Sequence, residues 1–81
     1  MIKREFVENN LVKVLNYLPW KIDKYYLYIS KIGNTYYIKY QNIYGNSILT
    51  FNKEDLIEVL IETIKELDTI IPDFANNLIN I

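Results

Sequence analysis

The chain has 81 residues, 51% of them hydrophobic and 15% aromatic, and nine basic against ten acidic residues give a formal net charge of −1. That length fits one domain, 1–81, with a small core, and the composition is too apolar and too near neutral for a disordered segment. Cysteine and histidine are both missing, which excludes a disulfide framework, a thiolate nucleophile and the side chain most used for proton transfer near neutral pH.

Residues 2–18 predict a helix. Phe6, Val7, Leu11, Val14, Leu15 and Leu18 fall on one face at helical spacing, and Pro19 stops it by pushing the preceding residue out of the helical region. Residues 24–51 are dense in β-branched and aromatic side chains and predict three strands. Gly33-Asn34 and Gly45-Asn46 each fit a two-residue hairpin loop, with glycine supplying a positive φ. Two-residue loops at both places pair Ile29 with Ile38, Leu27 with Tyr40, Tyr40 with Phe51 and Asn42 with Leu49. In that register Tyr25, Leu27, Ile29, Tyr36, Ile38, Tyr40, Leu49 and Phe51 share one apolar face, and a one-residue slip would scatter them.

Residues 53–69 predict a second helix, with Asn52 as N-cap and Glu54 and Asp55 in the first turn, where the helix dipole favours negative charge. Leu56, Ile57, Leu60, Ile64, Leu67 and Ile71 form its apolar face. Beyond Pro72, residues 73–79 predict a short third helix docked through Phe74 and Leu78. The order α-β-β-β-α predicts a two-layer α+β sandwich: a three-stranded antiparallel meander with both helices on its apolar face.

The N-terminus, Met1-Ile-Lys-Arg followed by Glu5, has no apolar stretch of the signal-peptide kind, and no apolar run approaches a membrane span. A cytoplasmic chain with no membrane partner is expected. Ile, Asn, Lys, Tyr and Phe supply 43 of the 81 residues, and Gly, Ala, Pro and Arg supply 6. The first group has AT-rich codons, so the excess of lysine over arginine reads as genome bias.

Catalytic chemistry has little to work with. Ser30, Ser47 and the threonines have no histidine to activate them, and the Gly-Asn turns are hairpins, not phosphate cradles. Glu58 and Glu62 at i, i+4 suit a solvated helix face better than a metal site, which needs further oxygen ligands. The expectation is a non-catalytic protein with no cofactor and no metal.

Two surfaces stand out. Glu54, Glu58, Glu62 and Glu66 repeat every four residues with Asp55 beside them, an acidic ridge in which successive like charges each cost roughly 0.2–0.5 kcal/mol. The ridge suits a protein partner with a basic surface. The second surface is the other sheet face, where Tyr26, Tyr28, Tyr37 and Lys39 collect, with Lys39 opposite Tyr28. Tyrosines beside lysine can anchor a protein interface or stack bases. A nucleic-acid-binding module is therefore the alternative function, and a homodimer through this face or through the sheet edges at 24–31 or 47–51 is a third. The charge is unevenly spread: residues 1–39 carry seven basic and three acidic residues, and residues 40–81 two basic and seven acidic.

Over residues 2–69 the α-β-β-β-α order resembles the double-stranded RNA-binding domain. That family reads RNA partly through lysines at the start of its second helix. Here the matching stretch is Asn52-Lys53-Glu54-Asp55, and the Gly33-Asn34 loop is shorter than the family's groove-binding loop, so the resemblance implies the topology without the RNA site. In size, element order, AT-rich usage and the ridge from Glu54 to Glu66, the chain also resembles small phage-encoded anti-CRISPR proteins, which occupy the surface an effector nuclease uses for DNA. That resemblance implies an inhibitor from a phage or mobile element, acting in the host cytoplasm through its acidic helix.

Overall fold

In the computed structural model, which describes residues 2–81, the chain runs α1 (Arg4–Asn9), α2 (Leu11–Tyr17), β1 (Lys21–Ile22), β2 (Tyr25–Ile32), β3 (Thr35–Gln41), β4 (Ser47–Lys53), α3 (Leu56–Ile70) and α4 (Phe74–Ile79). The strands form one antiparallel sheet in sequence order, and the α+β class follows as expected.

The single helix expected over 2–18 is two. Asn10 leaves helical geometry at φ −133°, ψ 35°, and its side-chain amide donates to the Phe6 carbonyl at 2.8 Å. That carbonyl is the one its own backbone N–H would have bonded in a continuous helix, and the N–H goes to Val7 instead. An asparagine side chain competing with the ladder in this way breaks a helix.

The sheet has four strands where three were expected. β1 is a two-residue strand pairing Ile22 with Tyr25 and Lys21 with Tyr26. Asp23 makes the turn at φ +54°, a left-handed conformation that aspartate tolerates better than most residues. The β2–β3 hairpin has the expected register, Ile29 opposite Ile38 and Leu27 opposite Tyr40, and Gly33 supplies its positive φ of +62°.

The β3–β4 hairpin differs. Phe51 lies opposite Ile38 and Leu49 opposite Tyr40, with an irregularity at Tyr40/Gln41, two residues from the expected pairing. A longer loop causes the shift. Asn42 is buried, and its Oδ1 accepts from the N–H groups of Tyr44 at 2.9 Å and Asn46 at 3.0 Å. The side chain organises a five-residue turn that a two-residue loop would not need. From Leu49 to Lys53 the shift is even, so those side chains keep their faces; beyond the irregularity Gln41 meets Ser47, an odd offset.

The helices cover one face of this sheet. α3 lies directly on β3 and β4, with α1 and α4 packed against it. Ile38, Tyr40 and Leu49 meet Val59, Leu60, Ile64 and Leu67 in the core, joined by Val7, Val14, Phe74 and Leu78. Full burial of each aliphatic side chain stabilises the fold by roughly 1.5–3 kcal/mol. Ile29 is on this face but remains 43% exposed.

α3 starts three residues later than expected, because β4 continues through Asn52 and Lys53. Its N-cap is therefore Asp55, whose carboxylate accepts from Ile57 N–H at 2.9 Å, and Glu58 is the acid of the first turn. The short C-terminal helix forms as expected with Phe74 and Leu78 buried. Asp68 of α3 caps it by accepting from Ala75 N–H at 2.9 Å. Tyr17 and Phe74 meet with ring centroids 5.1 Å apart, and Lys13 Nζ donates to the Ile81 carbonyl at 2.8 Å. These contacts place the tail in the helical layer, away from the open sheet face.

Candidate functional site

Charge separates by layer. The sheet segment, residues 20–52, holds four lysines and one carboxylate, Asp23, while the rest of the chain holds five basic and nine acidic residues. The molecule is a slab with extents of 35 × 31 × 18 Å, and the two sets of candidate residues occupy its opposite layers.

On the helical layer the acidic ridge is shorter and more neutralised than its sequence suggests. Arg4 from α1 reaches Asp55, with Nη2–Oδ2 at 2.8 Å, and also Glu8, with Nε–Oε2 at 3.5 Å. Lys53 at the end of β4 pairs with Glu62 at 3.4 Å. Burial works to raise the Asp55 carboxyl, but the Arg4 hydrogen bond, the Ile57 N–H and the Arg4 charge outweigh it and hold the group below the usual carboxylate range. Asp55 is thus a structural cap and an ion-pair partner. Glu54, Glu58 and Glu66 are exposed, and among the described residues none of them has a cation within bridging distance. Glu54 lies in the loop before the helix, so the continuous ridge on α3 is Glu58, Glu62 and Glu66.

The open sheet face brings Tyr26, Tyr28, Tyr37 and Lys39 together. Cross-strand pairing sets three rows: Lys21–Tyr26–Gln41, Tyr28–Lys39–Thr50 and Ser30–Tyr37–Asn52. Lys39 Nζ sits 5.8 Å from the Tyr28 ring centroid, within cation–π range. Two further residues belong to this face. Trp20 is 71% exposed and stands 6.2 Å from Tyr26, ring to ring. Lys21 Nζ lies 5.6 Å from the Tyr26 ring and 6.0 Å from that of Trp20. Sequence reasoning missed both because they fall between the helix expected over 2–18 and the strands expected over 24–51. The signal was Asp23-Lys24 as a turn between the alternating pair Lys21-Ile22 and the strand that follows.

Trp20 is held from behind. The Tyr40 hydroxyl, on the covered face, donates to the Pro19 carbonyl at 2.7 Å, and the Trp20 carbonyl accepts from Leu27 N–H at 3.0 Å. Burial pushes the Tyr40 phenol far above its ordinary pKa, so it remains a neutral donor.

A shallow groove of about 490 Å³ lies between α1 and the end of α4, lined by Lys3, Glu5, Phe6, Asn9, Asn10 and Ile79. It brings one lysine and one glutamate together with amides and apolar groups. Among the described residues no helix is long and apolar enough to cross a membrane. No known family model, curated protein or solved structure matches the chain, so its function has to be read from these residues.

Proposed function

We propose that this chain is a non-catalytic protein-binding domain that docks onto a basic, nucleic-acid-handling surface through its acidic helical layer, as an inhibitor carried by a phage or mobile element would. The observation that carries this reading is the segregation of charge: nine of the ten carboxylates lie outside the sheet segment, and Glu58 and Glu66 are exposed on α3 with no ion pair among the described residues. Two such carboxylates about two helical turns apart raise the local negative potential and would speed encounter with a cationic surface. Asp55 and Glu62 contribute less, since their charges are already answered by Arg4 and Lys53.

The test is affinity capture with the wild-type protein and a Glu58→Lys/Glu66→Lys variant side by side. The wild type retains a protein that duplex DNA displaces, and the variant fails to retain it while unfolding at the same midpoint. Equal retention by both, or retention that duplex DNA does not disturb, would rule the reading out.

A further inference from the structure

We infer that the open sheet face is a binding site for single-stranded nucleic acid, with Trp20, Tyr26 and Tyr28 as the base-stacking surface and Lys21 and Lys39 as the phosphate contacts. None of the four strands contains an aspartate or glutamate, so a polyanion laid along the sheet meets two ammonium groups and no carboxylate from the strands. Tyr26 and Tyr28 stand two residues apart on one strand, about 6.6–6.8 Å. That is roughly twice the 3.4 Å step of a stacked strand, so an extended strand can set one base against each ring. Trp20, across from Leu27 on the β1 side, stands beside Tyr26 and widens the stacking surface. Gln41, Thr50 and Asn52 line the same face and supply hydrogen-bonding groups without negative charge. Both ammonium groups lie over rings in the free protein, and rotation about the lysine side chain turns each from ring to phosphate while a base takes its place. A duplex hides its base faces and offers this surface only phosphates, for which two lysines are few. The site is separate from the acidic layer, which lies on the other side of the slab.

Trp20 is the single tryptophan, so its fluorescence reports on the site directly. The probe is oligothymidylate of about ten nucleotides, within the span that one small sheet domain covers. Saturable quenching is expected at about 50 mM salt. With two phosphates neutralised at a slope near −0.7 each, the affinity should fall roughly sevenfold by about 200 mM. Tyr28→Ala should weaken binding about tenfold, the loss of one stacked base, and Lys21→Gln with Lys39→Gln should flatten the salt dependence. Both lysine substitutions are on the sheet surface and keep the test decisive if Tyr28→Ala lowers stability. Glu58→Lys/Glu66→Lys should bind oligothymidylate within twofold of wild type, which separates this site from the helical docking surface. Absence of quenching at low salt, quenching indifferent to salt and to Tyr28→Ala, or occupation of the face by a second copy at high protein concentration would each overturn the inference.

Discussion

Replacing Tyr40 by phenylalanine removes one oxygen and leaves the ring in place. The fully buried ring keeps its packing, so the change isolates the 2.7 Å hydrogen bond to the Pro19 carbonyl. A neutral hydrogen bond contributes about 0.5–1.5 kcal/mol net, and a carbonyl left dry and unpartnered adds to the cost. Pro19 is only half-buried, so water recovers part of that second cost, and the expected loss is about 1–2 kcal/mol. With an m-value near 1 kcal/mol per molar urea, the low end for small domains, the unfolding midpoint should drop by about 1–2 M. Tyr36→Phe, at a half-buried residue whose hydroxyl makes no hydrogen bond within the described residues, is the control and should stay within about 0.5 kcal/mol. A second readout is alkaline pH. The folded Tyr40 pKa is raised above its ordinary 10.0, so the unfolded chain loses that proton first. The wild type should therefore lose stability as pH rises beyond about 10, and Tyr40→Phe should lose less. Trp20 emission should also shift, since the corner that carries it is loosened. A loss below about 0.3 kcal/mol, smaller than any net hydrogen-bond contribution, would refute the claim that Tyr40 anchors this corner.

Leu60→Ala empties a fully buried site between α3 and the sheet and should cost about 2–5 kcal/mol, a large share of the roughly 4–12 kcal/mol available to a chain of this length; thermal unfolding measures it. Asn42→Ala removes the two hydrogen bonds that organise the β3–β4 turn. Tyr44 and Asn46 are exposed, so water recovers part of the loss and the cost should be about 0.5–1.5 kcal/mol, read from urea unfolding; no effect would mean that water organises the turn equally well. Asp55 titrates below its unfolded value, so its contribution is complete above the ordinary carboxylate pKa and is lost as pH falls through the folded one. In Arg4→Gln the acid-side fall of the unfolding midpoint should be shallower.

The class, the covered face and the first hairpin were legible in the sequence because period-two alternation and a glycine turn both specify them. Parity survived the misplaced second hairpin for the same reason: burial fixes which face a side chain takes more firmly than which partner it meets. Other features were hidden for a common cause, a polar side chain overriding a local pattern. Asn10 cuts a helix whose apolar spacing is continuous, Asn42 enlarges a turn that Gly45-Asn46 alone would close in two residues, and Asp55 displaces Asn52 as the cap. The acidic ridge was legible as spacing, but its neutralisation was not, since Arg4 lies far from Asp55 in sequence. Tyr26, Tyr28, Tyr37 and Lys39 were placed together from the register alone, whereas Trp20 and Lys21 joined them through a strand of only two residues.

The most direct test of the docking account is the affinity of the captured partner for three purified proteins: wild type, Glu58→Lys/Glu66→Lys and Tyr28→Ala/Lys39→Gln. Docking through the acidic layer predicts a loss of tenfold or more for the helix variant, growing less as salt rises, and a change within twofold for the sheet variant. Equal affinities for wild type and helix variant, or a loss confined to the sheet variant, would contradict it.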